Sequence, residues 1–113
     1  MDLDLSTRRL GEWAVVSVAG EVDLGTASQL ADHASEALRD VSSHVVLDLA
    51  GVSFMDSTGL KVLVSLHRQA EEAGGSFAVA GTTRPVRRVL SVTGLDQVIT
   101  QHESVDEVAG DPA

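Results

Sequence analysis

Apolar and polar side chains alternate from the start of the chain. Leu3, Leu5 and Thr7 fall on one side and Asp4, Ser6 and Arg8 on the other. A period of two predicts a half-buried edge strand. "LGEW" (10–13) reads as a turn, and the β-branched "WAVVSVAG" (13–20) as the second arm of a hairpin. From Asp23 the period lengthens: Ala27, Leu30, Ala31, Ala34, Leu38 and Val41 recur at three and four residues, with Asp32, Glu36, Arg39 and Asp40 between them. This pattern predicts an amphipathic helix. "HVVLDLAG" (44–51) is a continuous apolar run, the expected signature of a strand covered on both faces.

The second half repeats the alternation of periods. Leu60, Leu63, Val64, His67 and Ala70 form one stripe of a helix over 57–73, which Gly74-Gly75 should end with a left-handed cap. "SFAVAG" (76–81) is a short strand. A third helix runs from Arg84 to Val92, with Pro85 in its first turn and Gly94 after its last. Val98 and Ile99 predict a short final strand, and "SVDEVAG" a closing helical turn. The order ββαβαβα implies a hairpin followed by parallel strands joined by crossover helices, an α/β fold. One domain is expected over 1–108, with 109–113 a disordered tail.

Composition narrows the function. Trp13, Phe54 and Phe77 are the only aromatics, so base stacking on nucleic acid has almost no platform. The net charge of −9 repels phosphate backbones, which excludes nucleic acid as a direct partner. The chain has no cysteine, hence no disulfide and no thiolate chemistry. "MDLDLSTRR" is not a secretion signal. No apolar run reaches the ~20 residues of a membrane span, so a soluble cytoplasmic protein is expected, without a membrane partner. His33, His44, His67 and His102 are scattered, without metal-ligand spacing. Neither GxxxxGK[ST] nor GxGxxG occurs, and Ser57 lacks a GxSxG frame. No cofactor, metal or catalytic residue is expected, and the chain is not expected to be an enzyme.

What remains is the chemistry at the strand-to-helix junctions. The C-terminal ends of parallel strands share one sheet edge, where sites gather. "GEVDLGTA" (20–27) and "FMDSTGL" (54–60) both leave that edge, bringing Asp23, Thr26, Asp56, Ser57 and Thr58 to one end. Taken singly, Asp23, Asp56 and Ser57 suit helix caps. Gly59 costs helix stability, which either tight packing against the next strand or close approach of a partner could justify. Arg84, Arg87 and Arg88 form a basic cluster that reads as a solvated face or an acidic docking patch.

"VAGEVDLGTA", "VVLDLAGVSFMDSTGLKVLV", "GGSFAVAG" and "VRRVLSVTGLDQVI" together resemble the bacterial anti-sigma factor antagonists, which are stand-alone STAS domains. The likeness runs from about Leu3 to Glu107, and "DSTGL" is its most specific block. The resemblance implies a mixed sheet of four to five strands with helices packed on it. It also implies a protein-binding switch. Ser57 falls on the residue that the family's anti-sigma factor, an ATP-dependent serine kinase, phosphorylates. The unphosphorylated form binds that kinase and frees its sigma factor, and a serine phosphatase resets the switch. Asp23 falls on a site-lining Asp and Thr58 on the adjacent hydroxyl. The expected partner surface is Asp23, Thr26, Asp56, Ser57, Thr58 and Gly59. Two alternatives keep part of this picture: a STAS subunit docking on a transporter ATPase, and a receiver-like domain phosphorylated on Asp48. The second lacks an acidic pair after the first strand and a late Lys, since Lys61 is the chain's only one.

Overall fold

The computed structural model describes residues 2–110, so most of the expected 109–113 tail lies outside it. The chain runs β1 (Asp4–Leu10), β2 (Trp13–Val22), α1 (Ala27–Asp40), β3 (His44–Met55), α2 (Ser57–Glu72), β4 (Ser76–Ala80), α3 (Arg84–Thr93) and β5 (Thr100–His102). A 3₁₀ turn spans Leu95–Gln97, and a short helical turn at Asp106–Gly110 closes the described chain. The hairpin, the three helices and the parallel sheet are where the periodicity puts them.

The five strands lie in the order β1-β2-β3-β4-β5, with β1 antiparallel to β2 and every later pair parallel. The order never reverses. Right-handed crossovers that always step the same way lay every helix on the same face of a sheet. Accordingly Ala14, Val16 and Val18 of β2, Val45, Leu47 and Leu49 of β3, and Val79 of β4 form one core with Leu30 of α1, Leu63 and Leu66 of α2, and Leu90 of α3.

Among the described residues, none of the three long helices packs on the other face. Val15, Val46, Ala78 and Ala80 are covered there by Val105, with Leu10, Trp13 and Val108 packed around them. The expectation of two covered faces for 44–51 is therefore corrected. Val46 owes its cover to a residue near the C-terminus, and on the same face Asp48 is half-buried and Ala50 exposed.

Two boundaries also differ from expectation. The third strand extends past 51 to Met55, because Gly51, Val52, Phe54 and Met55 continue to pair with β2 after β4 has ended at Ala80. Register irregularities near Ala19 and Gly20 accommodate this overhang. The last strand falls at Thr100–His102, with Ile99 buried just before it.

Within α2 the buried stripe runs through Leu60, Leu63, Leu66 and Ala70, while Val64 and His67 are only half-buried. Its end matches the sequence: Gly74 has φ 77°, the Gly75 amide donates to Ala70 O at 2.8 Å, and the Gly74 amide donates to Glu71 O at 3.0 Å. That is a Schellman cap.

Candidate functional site

The overhang of β3 and the end of β2 form one rim. Val22 is in register with Met55, and the Asp56 amide donates to Val22 O at 3.1 Å. Asp23, Leu24, Gly25, Thr26 and Asp56 line an open cavity there. The two junction loops thus meet, as the parallel topology requires.

Each polar residue at this rim has a distinct task. Asp56 is the N-cap of α2: its Oδ1 accepts from the Thr58 amide at 2.9 Å and the Gly59 amide at 3.3 Å. Asp23 organises the other loop, accepting from the Gly25 amide at 2.9 Å and the Thr26 hydroxyl at 3.2 Å. Thr26 is buried at 4% exposure, and its hydroxyl donates to Glu21 O at 2.7 Å and accepts from the Asp23 amide at 3.0 Å. Thr26 is a brace inside the loop, with little surface of its own to offer a partner.

Ser57 differs from all of these. It is the first residue of α2, it is exposed, and among the described residues its hydroxyl makes no hydrogen bond. Thr58 beside it is half-buried. The capping role open to Ser57 from the sequence belongs instead to Asp56.

For Gly59, the packing alternative has a structural basis. The residue is buried, and a Cβ there would lie 2.6 Å from Met55 Cγ and 2.8 Å from Val22 Cγ1. The missing side chain lets α2 close onto the ends of β2 and β3. Gly59→Ala should therefore lower stability by about 1–2 kcal/mol, as overpacking outweighs the helix preference of Ala. Thermal unfolding checks the loss, and no change in Tm would mean that the packing at Gly59 can take a methyl group.

Two rim residues had no signal beyond being apolar in a loop-like stretch. Leu24 is 81% exposed and Phe54 is 46% exposed. Phe54 stands opposite Glu21 on the overhang, and Leu24 lines the cavity with Asp56. Large apolar side chains left in water are a feature of contact surfaces. The start of α3 is tied to the same overhang. The Thr83 hydroxyl, just before that helix, donates to Val52 O of the overhang at 2.7 Å. Arg87 donates to Thr82 O at 3.2 Å.

No described helix is long and apolar enough to cross a membrane. Asp48, the alternative acceptor, lies on the face away from the helices and accepts from the Ala50 amide at 3.1 Å.

Comparison with known proteins agrees with this fold. The STAS domain model matches residues 4–108. The anti-sigma-F factor antagonist RsfB of Mycobacterium tuberculosis is 35% identical over 103 residues, covering 86% of this chain and 82% of that one. The anti-sigma F factor antagonist of Paenibacillus polymyxa is 32% identical over 91 residues, covering 80% and 78%. The crystal structure of an anti-sigma factor antagonist from Mycobacterium paratuberculosis superposes with a TM-score of 0.85 at 28% identity, over 96% of this chain and 95% of that one. With the family model spanning the domain and such relatives on either side of it, the chain belongs to the STAS domain family, among the bacterial anti-sigma factor antagonists.

Proposed function

We propose that this chain is a partner-switching antagonist. Its unphosphorylated form binds an anti-sigma factor that is also a serine kinase, so that the sigma factor is freed. Phosphorylation of Ser57 by that kinase ends the complex, and a serine phosphatase restores it. The observation that carries this reading is the state of Ser57: an exposed hydroxyl without an internal partner, on a rim bearing Leu24, Phe54, Asp23 and Asp56. The apolar pair supplies area that leaves water on docking. The two acids set a local field to which a phosphate would add nearly two further negative charges. The chain itself performs no chemistry in this scheme; it presents the hydroxyl and reads out its charge.

The test is incubation with candidate anti-sigma kinases and ATP, followed by tandem mass mapping. The expected product carries one phosphate, on Ser57. Phosphate on Thr58 alone, or on no residue with any kinase that binds the chain, would overturn the reading.

A further inference from the structure

The first strand leaves one side of the sheet open. Among the described residues β1 is an edge strand, paired only with β2 and without a register irregularity over its seven residues. It holds no proline. Such an edge offers a row of free backbone groups to another strand.

Proteins commonly blunt an edge with charge, and a guard works when like charges confront each other. Here the charges are mixed. Leu3, Leu5, Thr7 and Arg9 belong to the helix side of the strand: Leu3 and Leu5 join the core under the helices, the Thr7 hydroxyl meets His33 of α1 at 2.7 Å, and Arg9 donates to Val41 O at 2.9 Å. Asp4, Ser6 and Arg8 alternate with them, so they share the opposite face. All three are exposed, and among the described residues neither Asp4 nor Arg8 has an ion-pair partner.

Consider two copies of this edge paired antiparallel about a two-fold axis perpendicular to the sheet. Directly opposed residues must lie on the same face, so only registers centred on a residue are allowed. Centred on Leu5, Asp4 meets Ser6, and Arg8 passes beyond the strand to Asp2, whose carboxylate already accepts from Gln29 at 3.1 Å. Centred on Thr7, Asp4 meets Leu10 and Ser6 meets Arg8. Centred on Ser6, Asp4 of each copy meets Arg8 of the other, twice by symmetry, and Leu5 meets Thr7. Opposed unlike charges favour a strand pair where like charges would disfavour it. Within the strand, the edge is complementary to itself in one register.

We infer that β1 is a homodimer interface, in which two copies pair antiparallel about Ser6 and join their sheets into one of ten strands. This interface is isologous. It lies at the side of the sheet, apart from the junction rim, so it stands independently of the role proposed for Ser57.

The experiment is sedimentation equilibrium of the whole chain and its charge variants. The wild type should form a dimer. Asp4→Arg and Arg8→Asp should each weaken it at least tenfold, because each places like charges opposite one another. An equimolar mixture of the two single variants should dimerise again, since one copy then presents two arginines to the two aspartates of the other. As a second readout, Ser6→Cys introduces the only cysteine and should close a symmetric disulfide under mild oxidation. Ser28→Cys, exposed on α1, should not. A wild type that stays monomeric to millimolar concentration would overturn the inference. So would a dimer indifferent to both reversals, or one in which Ser6→Cys fails to cross-link.

Discussion

Phosphorylated chain should bind its anti-sigma factor roughly a hundredfold more weakly than the unmodified chain, a difference of ~3 kcal/mol. The estimate follows from charge alone. Nearly two added charges facing one acidic group about 6 Å away repel by ~1 kcal/mol at bulk dielectric and by ~5 kcal/mol at an effective dielectric of 20. Ser57→Asp should fall between phosphorylated and unmodified protein, since it brings one charge. Ser57→Ala should bind as the unmodified chain does and keep its melting temperature, because Asp56 and not Ser57 caps α2. Raised salt should recover part of the binding lost by Ser57→Asp, as screening predicts at an exposed site. Calorimetric titration of the four forms at low and high salt checks this series. An Asp variant that bound as tightly as the Ala variant would exclude charge repulsion as the mechanism.

The largest expected loss of stability lies at the far end of α2. Gly75→Ala should cost about 3 kcal/mol, at the top of the usual range for overpacking in a side-chain core. A Cβ at Gly75 would overlap the carbonyl of Ser43, and that carbonyl also accepts the Ser76 amide at 3.2 Å where β4 joins β3. Backbone on both sides leaves no rotamer to relieve the overlap. Gly74→Ala is the informative control. Nothing lies near a Cβ there, but the residue is at φ 77°, so only conformational strain of about 1 kcal/mol is expected. Denaturant titration of the two variants separates steric from conformational cost. Equal losses would mean that Gly75, like Gly74, serves only the turn.

Most of the architecture was legible in the sequence because it is written in local chemistry. Gly74-Gly75 at the end of an amphipathic stretch announced a left-handed cap, and Pro85 and Gly94 bracketed α3. The hairpin followed from alternation about Gly11-Glu12. The errors share a cause, which is reliance on distant partners. "GVSFM" carries a glycine and a serine and looks like the start of a loop, yet it stays extended because β2 runs alongside it to Val22. The run 44–51 looks covered on both sides, but Val105 covers only part of its second face, from far along the chain.

At the site, the sequence brought Asp23, Asp56 and Ser57 to one edge but could not distribute their tasks. Which oxygen caps a helix depends on backbone angles that Asp56 and Ser57 could each have adopted. Gly59 was ambiguous for the same reason: a missing Cβ looks alike whether it makes room for a strand or a partner. Leu24 and Phe54 could be recognised only once the fold had left them in water.

The cap of α2 has one more consequence. Asp56 already holds the Thr58 and Gly59 amides, so these inward donors at the helix tip are engaged before any phosphate arrives. A phosphate on Ser57 would not have to displace that cap to be accommodated, and the fold would have little reason to draw it in. It would stand out from the rim, where the hydroxyl now stands. A mark placed this way can be written and erased without unpacking the helix, so the lifetime of each state would be set by the enzymes that visit it.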